Sequence, residues 1–529
     1  MALIALEGLG FHYEAPYTPV FDRLDLGIDT AWKTGVVGRN GRGKTTLLDL
    51  LRRRLRPTAG RLSVPLKTAY FPYEPPVSDL EAARVVKAAV APFERWEARM
   101  QRLLEKGDDA SIEAYGEVAA RFERLGGYEI DDLVAREAAL LGLDGETLAR
   151  PFSTLSGGER TRALIAALFL RRDRFPLIDE PTNHLDAEGR RILGDYLARQ
   201  RGFILVSHDR YFLDLCTDHI LALNRADIRL SHGDFSTWKS QMEREEETER
   251  RTQEKLLKEV RDLTQEARRR RTWSERKEKS KIGAYDKGRV GHLAAKTMKK
   301  ALNAERRIQE KLEEKKGLLK NREKERVLKL DPDAGGPETL VSLDGAWVRL
   351  GGKDLLGGLN LRLRQGDRLA VTGPNGAGKT ALLRALCGEL PLAAGTLSKP
   401  AHVRLCRAHQ VPLWQRGRLR PLLRSAGIDE TRFRTLMASF GVEGEIFERP
   451  LESFSEGQRK KVDLCRSFLE PAHLLVWDEP LNYLDLYSRE QIERVVLACR
   501  PTLLFVEHDR YFTERIATDA VRLERPSAG

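Results

Sequence analysis

Paired cysteines, long apolar runs and a basic N-terminal leader are all missing from this sequence of 529 residues. The five cysteines are scattered and none lies in a CxxC pair, which argues against a disulfide framework or a zinc site and favours a reducing compartment. No apolar run approaches the roughly 20 residues that a membrane helix needs. The first residues, MALIALE, predict a strand and not a signal peptide. We therefore expect a cytoplasmic chain that cannot by itself be a transporter.

Proline is absent from residues 239–329, and this middle segment carries the basic excess of the chain. It holds 30 Lys/Arg and 18 Asp/Glu, and 30 − 18 = 12 equals the formal charge of +12 of the whole sequence. Glycine is rare in it, so two long helices with a turn between them are predicted. The basic residues are densest in 268–300. Such a segment favours a polyanionic partner, although alternating signs along its arms are also typical of solvated helix faces.

The rest of the chain contains an internal repeat of four segments. The pairs are GRNGRGKT (38–45) with GPNGAGKT (373–380), SGGER (156–160) with SEGQR (455–459), DEPTNHLD (179–186) with DEPLNYLD (478–485), and SHDRYF (207–212) with EHDRYF (507–512). The first pair is offset by 335 residues and the next two by 299, so the first half holds 335 − 299 = 36 extra residues. These lie around 82–127, where apolar residues at helical spacing predict a helical excursion.

The repeat and the basic segment together suggest how the chain is organised. We predict a first domain at 1–237, a helical hairpin at 238–330 with its tip at 273–292, a flexible junction at 331–337 and a second domain at 338–529. The junction reads DPDAGGP, a composition typical of turns and linkers.

The glycine-rich segment of each half lies between an apolar strand and an apolar helix. In that context the backbone N–H groups of a P-loop and the helix N-terminus converge on phosphate oxygens. Lys44 and Lys379 would reach the phosphates, and the hydroxyls of Thr45 and Thr380 would ligate Mg²⁺. The other nucleotide-binding candidates of these loops are Gly38, Asn40, Gly41, Gly43, Thr46, Gly373, Asn375, Gly376 and Gly378.

Two adjacent carboxylates end an apolar strand in each half. Asp179 and Asp478 are candidates for the Mg²⁺ shell, while Glu180 and Glu479 could polarise the attacking water. A lone Asp-Glu pair is more often a solvated helix start. Here the pair recurs at the same distance from the neighbouring motif, which favours the functional interpretation.

A histidine follows another apolar run in each half. Neutral imidazoles at His208 and His508 could hydrogen-bond the γ-phosphate or the attacking water. A single histidine would more often be structural, but the duplication at matching spacing again favours chemistry.

A serine turn opens a predicted helix in each half. Such a turn presents N–H groups to anions, which is useful if it faces phosphates bound by the other half of the chain. The candidate residues are Ser156, Gly157, Gly158, Ser455, Gly457 and Gln458.

Five motifs occur twice in the same order: Walker A, a Ser-Gly-Gly-type signature, Walker B with its glutamate, a D-loop aspartate and a switch histidine. This arrangement resembles the ABC ATPase family. The resemblance implies an α/β fold with two tandem ABC-type P-loop ATPase domains, which would close head to tail around two ATP molecules with Mg²⁺. The residues implied for the first site are Lys44, Thr45, Asp179, Glu180 and His208 with Ser455 and Gly457, and those for the second are Lys379, Thr380, Asp478, Glu479 and His508 with Ser156 and Gly158. Asp186 and Asp485 match the D-loop position, and Tyr13 would stack on adenine.

Two such cassettes joined by a basic hairpin resemble the ABC-F family of ribosome-binding translation factors. The segments FPLIDEPTNHLD (175–186), WDEPLNYLD (477–485), FVEHD (505–509) and KSKIGAYDKGRVGHLAAKTMK (279–299) are similar to its Lsa/Vga-type antibiotic-resistance branch. The resemblance implies a monomer, with an intramolecular dimer of cassettes, that binds the E-site region of the 50S subunit and protects the ribosome from lincosamides, streptogramin A compounds and pleuromutilins. The candidates for contact with 23S rRNA are Lys279, Lys281, Tyr285, Lys287, Arg289 and His292.

The sequence also departs from the family pattern. Tyr73 stands where the Q-loop glutamine is expected, and Ala408 is the nearest residue by alignment in the second half, with Gln410 two residues further on. Leu350 matches Tyr13, which leaves adenine stacking in the second site open.

Three other functions stay open at this point. They are a housekeeping ABC-F factor acting on stalled ribosomes, the soluble ATPase subunit of a transporter, and a DNA-repair ATPase. The charged hairpin argues against the second, and the absence of a CxxC hook argues against the third, so no DNA or membrane partner is expected.

Overall fold

The computed structural model describes residues 2–14, 17–75, 78–183, 185–224, 228–279, 299, 303, 306, 337–442 and 444–524. Several predictions concern residues outside these ranges: most of the return arm of the hairpin, its turn, and the junction up to residue 336. The same holds for five RNA-binding candidates, Lys281, Tyr285, Lys287, Arg289 and His292. Of the described residues, those in 2–223, 228–235 and 337–524 belong to one compact unit, and 224, 236–279, 299, 303 and 306 belong to another.

The first cassette contains two sheets. Its strands are β1 (Leu3–Glu14), β2 (Tyr17–Asp29), β3 (Lys33–Gly38), β4 (Ala59–Ser63), β5 (Lys67–Phe71), β6 (Arg174–Asp179), β7 (Phe203–Val206), β8 (His219–Leu223) and β9 (Ile228–His232). The order β5-β6-β7-β3-β8-β9 is parallel except for the last pair, and β2-β1-β4 form an antiparallel sheet. Because β3, β6 and β7 run parallel, the P-loop, the Walker B carboxylates and His208 all follow carboxyl ends at one edge of the sheet.

Nine helices of the described part of the first cassette surround these sheets. They are α1 (Lys44–Leu51), α2 (Ala82–Val90), α3 (Phe93–Lys106), α4 (Asp109–Arg124), α5 (Ile130–Leu140), α6 (Gly145–Ala149), α7 (Gly157–Leu170), α8 (Ala187–Ala198) and α9 (Arg210–Cys216). Helices α2 to α4 occupy the region of the predicted excursion. The ring of Phe93 on α3 meets that of Phe122 on α4 edge to face at 5.6 Å, so the two helices share a small apolar core.

Helix α10 (Phe235–Lys279) follows the first cassette and contains 45 residues. At 1.5 Å per residue it is about 67 Å long. Many of its described side chains are charged and exposed, including Arg250 and Arg251, which both pair with Glu247. Residues 239–279 of the basic segment therefore lie in one long polar helix, which agrees with the lack of proline.

The second cassette repeats this plan. Its strands are β10 (Thr339–Leu350), β11 (Lys353–Arg364), β12 (Arg368–Thr372), β13 (Ala394–Ser398), β14 (Leu405–Ala408), β15 (Leu474–Asp478), β16 (Leu503–Val506) and β17 (Asp519–Arg522). Its helices are α11 (Lys379–Leu386), α12 (Leu419–Ser425), α13 (Glu430–Ser439), α14 (Gly444–Phe447), α15 (Glu456–Leu469), α16 (Leu486–Cys499) and α17 (Arg510–Ile516). The parallel sheet has the order β14-β15-β16-β12-β17, and β11-β10-β13 are antiparallel.

Burial on both faces explains the short apolar runs in the sequence. Every residue of β7 and of β16 is buried, which is typical of the inner strands of a parallel sheet covered by helices. The helix after each P-loop contributes buried leucines to the same cores, such as Leu47 and Leu382. The two P-loops are therefore fixed between a buried strand and a buried helix.

Candidate active sites

Each P-loop is held in shape by its own lysine. Lys44 Nζ donates hydrogen bonds to the carbonyl of Gly38 at 2.7 Å, to that of Arg39 at 3.2 Å and to Asn40 Oδ1 at 3.3 Å. Lys379 Nζ donates to the carbonyls of Gly373 at 2.8 Å and Pro374 at 2.9 Å. Both ammonium groups thus lie over the concave side of the loop, where phosphate oxygens would replace the carbonyls as partners.

Glycine is required just before each P-loop helix. Gly43 has φ of 90° and Gly378 has φ of 82°, which lie in the left-handed region. A Cβ on Gly43 would also come within 2.5 Å of Val20 Cγ1. These two glycines turn the chain so that α1 and α11 begin with their N–H groups facing the loop.

Burial dominates the electrostatics of the two lysines. It lowers the pKa of Lys44, against the opposing effect of Glu180, Asp485 and Asp179, and it lowers the pKa of Lys379 in the same way. Because burial removes an ammonium group from water, an anion bound beside it stabilises its charged form. This is the electrostatic condition that a triphosphate would satisfy.

The Walker B carboxylates lie at the ends of β6 and β15. Glu180 has φ of 49° and Glu479 has φ of 47°, a strained conformation for non-glycine residues that often occurs at functional sites. Thr380 Oγ1 donates to Asp478 Oδ1 at 3.3 Å, so a hydroxyl and a carboxylate lie side by side at the second P-loop. Both are the hard oxygen ligands that suit Mg²⁺, and the residues present therefore fit this ion.

A histidine faces each glutamate. His208 Nε2 lies 3.4 Å from Glu180 Oε1, and His508 Nε2 lies 3.8 Å from Glu479 Oε1. Burial lowers the pKa of His208 well below its ordinary value and that of His508 to about 3, so both imidazoles are neutral at pH 7. Burial, followed by the charge of Asp179, raises the pKa of Glu180 to about 7.

Several polar atoms of these pairs lack a partner. Glu180 Oε1, His208 Nδ1 and His508 Nε2 are buried and make no hydrogen bond within the described residues. Because an unsatisfied buried polar atom is costly, these atoms are places where a water or a phosphate oxygen would be stabilised. The arrangement can therefore position a water molecule beside a carboxylate base.

The two cassettes contact each other through their D-loop aspartates. The backbone N–H of Asn40 in the first P-loop donates to Asp485 Oδ2 at 2.9 Å, and that of Asn375 in the second donates to Asp186 Oδ2 at 3.1 Å. Each aspartate also accepts a bond from the first turn of its own helix, α16 or α8. Burial alone would raise the pKa of both aspartates. The N–H groups of Gly189 and Asn375 nevertheless lower the pKa of Asp186, and Lys461 together with the N–H of Asn40 lowers that of Asp485. Both P-loops therefore face the opposite cassette.

The serine turn of the second cassette lies against the first P-loop. A Cβ on Gly457 would be 3.5 Å from Asn40 Nδ2, and the same amide nitrogen lies 3.4 Å from the carbonyl of Tyr483. Ser455 and Gln458 form a capping box that fixes the start of α15, and Ser156 and Glu159 form the matching box at α7. The pairing of the Ser156 turn with the second P-loop stays a prediction.

The Q-loop prediction needs one correction. Strand pairing aligns Tyr70 with Leu177 and Arg407 with Val476, so Tyr73 corresponds to Gln410 and the alignment with Ala408 is wrong. The reason is a longer connection: Ser398 to Ala408 spans 408 − 398 = 10 residues, whereas the matching Ser63 to Phe71 spans 71 − 63 = 8. Gln410 Nε2 donates to Glu479 Oε2 at 2.9 Å, so this glutamine lies beside the Walker B segment of the second cassette.

Tyr73 makes a different contact in the first cassette. Its hydroxyl donates to the carbonyl of Leu164 at 3.1 Å, and the guanidinium of Arg171 lies 5.3 Å from its ring centroid. It therefore supports helix α7, whereas Gln410 supports Glu479. Tyr13 is 43% exposed. Its hydroxyl lies 3.0 Å from Thr46 Oγ1, and its ring packs edge to face against Phe11 at 5.1 Å. Leu350 ends β10 as a 48% exposed side chain.

Sequence reasoning missed a buried ion pair between the cassettes. Arg210, two residues after His208, pairs with Glu493 of α16, whose side chain is completely buried. Arg210 Nη2 also lies 3.9 Å from Asp509 Oδ2. Nothing in the sequence signals this pair, because Glu493 belongs to no motif and corresponds by its offset of 299 to Gly194.

A family model described as "ABC transporter" matches residues 21–183 and 356–482, which include both P-loops and both Walker B segments. The chain belongs to the ABC family. Its relatives include ABC-F proteins: the tylosin resistance ATP-binding protein TlrC of Streptomyces fradiae is 31% identical over 95% of this chain and 94% of its own. The ribosome protection protein VmlR of Bacillus subtilis (strain 168) is 28% identical over 95% of this chain and 84% of its own.

A solved structure supports the tandem ABC fold. The complex of archaeal ribosomal stalk protein aP1 and archaeal ribosome recycling factor aABCE1 matches with a TM-score of 0.62 at 18% identity, over 97% of this chain and 87% of that one. At this identity the likeness concerns the fold alone. Among the helices that the structure describes, none combines the length and the apolar character needed to cross a membrane.

Proposed function

We propose that this ABC protein binds two ATP molecules between its cassettes and hydrolyses them. The observation that carries the proposal is the pair of hydrogen bonds from each P-loop to the D-loop aspartate of the other cassette, Asn40 to Asp485 and Asn375 to Asp186. They bring the loops that would hold the phosphates to the cassette interface. Nucleotide bound there would contact both cassettes and therefore stabilise the closed arrangement.

Lys44 and Lys379 would bind the phosphates, and Mg²⁺ would be held by Thr45 with Asp179 and by Thr380 with Asp478. When bound, the ion neutralises charge on the phosphates. Glu180 and Glu479 would accept a proton from the attacking water, and His208 and His508, kept neutral by burial, would hydrogen-bond it or the γ-phosphate.

The same proposal includes the ribosome as the partner. Two relatives are named for tylosin resistance and for ribosome protection, and the middle segment carries an excess of 12 positive charges. Such charge would neutralise rRNA phosphates, and Tyr285 near the tip could stack on an unpaired base. We propose that ATP-bound protein enters the E-site region of the 50S subunit and that the hairpin tip protects the ribosome from antibiotics of the lincosamide, streptogramin A and pleuromutilin classes.

The decisive experiment is sedimentation of a hydrolysis-deficient variant. Glu180→Gln combined with Glu479→Gln should trap ATP and co-migrate with ribosomes in a sucrose gradient containing ATP, and it should remain at the top of the gradient with ADP. The matched control is Lys44→Ala with Lys379→Ala, which should stay at the top with either nucleotide. A trapped variant that never leaves the top of the gradient would refute the ribosomal part of the proposal.

Drug tolerance separates the resistance function from a housekeeping one. Cells expressing the wild-type chain are compared with cells expressing the Lys44→Ala, Lys379→Ala variant on tylosin, a lincosamide and a pleuromutilin. Ribosome binding without any gain in tolerance would favour a housekeeping factor acting on stalled ribosomes. Recovery with membranes and not with ribosomes would favour an ATPase subunit of a transporter.

A further inference from the structure

The two Walker B aspartates have different partners at one matched position. In the first cassette the hydroxyl of Tyr70 donates to Asp179 Oδ2 at 3.1 Å. In the second, Arg407 Nη2 donates to Asp478 Oδ2 at 3.0 Å. Strand pairing places Tyr70 and Arg407 at equivalent points of β5 and β14. A neutral hydroxyl in one site is therefore replaced by a guanidinium in the other.

The neighbouring residues have changed together with this pair. Arg52 follows α1 as its C-cap, and its guanidinium lies 3.6 Å from the centroid of the Tyr70 ring. The matching C-cap of α11 is Cys387, which removes that cation from the second site. In the first cassette the ring of Tyr70 thus lies between the guanidinium of Arg52 and the aspartate. In the second cassette the guanidinium of Arg407 contacts the aspartate directly.

Arg407 cannot move far from Asp478. Its side chain is 8% exposed and that of Asp478 is fully buried. Its other strong contact, Nη1 to Glu389 Oε2 at 2.6 Å, is to a carboxylate that is 39% exposed and therefore better screened by water. Since Thr380 occupies Asp478 Oδ1 and Arg407 occupies Oδ2, both oxygens of this carboxylate already accept a hydrogen bond.

We propose that Arg407 makes the second nucleotide site a weak site for the divalent cation and leaves the first as the strong one. This rests on the proposed binding of ATP with Mg²⁺. A guanidinium on the Walker B carboxylate neutralises the charge that would attract the cation and repels the cation itself. The guanidinium and the divalent cation would lie on either side of the same carboxylate. Their repulsion lowers the affinity of the site for the metal by about tenfold or more. Arg407 acts here through Asp478, as a positioning residue.

The test measures metal binding directly and uses the chain as its own control. Mn²⁺ stands in for Mg²⁺, and the EPR signal of free Mn²⁺ gives the metal Kd of protein loaded with a nonhydrolysable ATP analogue. The Lys44→Ala variant should bind nucleotide at the second site only, and the Lys379→Ala variant should bind it at the first site only. Binding of one analogue per chain is checked before the metal is added, and thermal unfolding checks that each variant folds.

We expect the Kd for Mn²⁺ to be about tenfold higher at the second site than at the first. Exchanging the residues, as Arg407→Tyr with Cys387→Arg, should bring the second site to within about twofold of the first. The reciprocal exchange, Tyr70→Arg with Arg52→Cys, should weaken the first site, and the conservative Arg407→Lys should keep the second site weak.

Equal metal affinities of the two sites, or affinities that the exchanges leave unchanged, would overturn the inference while leaving nucleotide binding intact. Failure of both single-site variants to bind the analogue would instead overturn the proposed nucleotide sites, and the inference with them. A weak second site that Arg407→Lys converts into a strong one would show that the charge is not the cause.

Discussion

Glu180 and Glu479 occupy equivalent positions, directly after β6 and β15, and have different surroundings. Glu479 accepts hydrogen bonds from Gln410 at 2.9 Å and from Asn482 at 2.6 Å, both to its Oε2. Glu180 Oε1 has no hydrogen-bond partner among the residues that the structure describes, and Tyr73, which stands at the position of Gln410, donates to the Leu164 carbonyl instead of to this glutamate. The motif is the same, but the side chains that hold the carboxylate are not. Shared motifs therefore identify two sites of one kind without making them equal.

The contacts between the cassettes show the same inequality. Arg210 and Arg510 occupy matching places, two residues after the two histidines. Arg210 pairs with the buried Glu493 of the other cassette, whereas Arg510 Nε pairs at 2.7 Å with Glu514, an exposed neighbour four residues further along its own helix. A buried ion pair, Arg210–Glu493, thus joins the two cassettes at one of the matching places. At the other, Arg510 forms its ion pair within its own cassette.

Removing the two glutamates should have the largest effect. Because a positioned general base contributes roughly 10²- to 10⁴-fold, Glu180→Gln with Glu479→Gln should lower kcat for ATP hydrolysis by at least about 100-fold. Each single variant should retain hydrolysis from the intact site, measured as phosphate release. If either single variant is as inactive as the double variant, the two sites do not work independently.

Arg210→Met should destabilise the protein strongly. It leaves Glu493 buried with Arg515, 3.4 Å away, as its remaining close cation, so the free energy of unfolding should fall by about 3 kcal/mol. The matched control, Arg510→Met, removes an exposed pair and the contact of the guanidinium with the Tyr211 ring at 5.0 Å, and it should cost about 1 kcal/mol or less. Urea unfolding followed by circular dichroism measures both, and equal losses would contradict the one-sided contact.

Hydrolysis at the first site should depend on pH. Burial raises the pKa of Glu180 to about 7, and only the deprotonated carboxylate can accept a proton from water. Single-turnover rates of the Glu479→Gln variant should therefore rise about tenfold per pH unit below pH 7 and level off above it. The Glu180→Gln variant is the comparison, and a flat profile between pH 6 and 8 in the Glu479→Gln variant would exclude this role.

The same carboxyl group also affects stability. Its pKa is higher in the folded chain than its ordinary value of 4.5, so the folded state binds more protons between about pH 4.5 and 7. The contribution of Glu180 therefore makes the folded state less stable as pH rises through that range. Glu180→Gln should remove this part of the pH dependence in thermal unfolding.

The smallest expected effect separates the two Q-loop positions. Tyr73→Phe removes the hydrogen bond to the Leu164 carbonyl and should cost about 1 kcal/mol of stability, with hydrolysis unchanged within about twofold. Gln410→Ala in the Glu180→Gln background should instead slow hydrolysis, because it frees Glu479. Unfolding midpoints and phosphate release test the pair, and a hydrolysis defect in Tyr73→Phe would contradict the difference drawn between them.

The sequence by itself determined the family and the two P-loops, and it predicts Glu180, Glu479, His208 and His508 as the catalytic residues. These could be predicted because each motif is local: glycines, lysine and threonine within eight residues define a phosphate loop, and duplication in the same order removes the ambiguity of a single match. The strand or helix beside each motif also follows from short apolar runs.

Only the tertiary structure decided which residues accompany each motif. Gln410 and not Ala408 reaches Glu479, because the connection before β14 is two residues longer than the one before β5 and so changes the alignment of the two halves. Arg407 meets Asp478 across 71 positions of the chain. The pairs Asn40–Asp485 and Arg210–Glu493 join residues 445 and 283 positions apart. Such contacts depend on how two folded cassettes face each other, and no local pattern of residues contains that information.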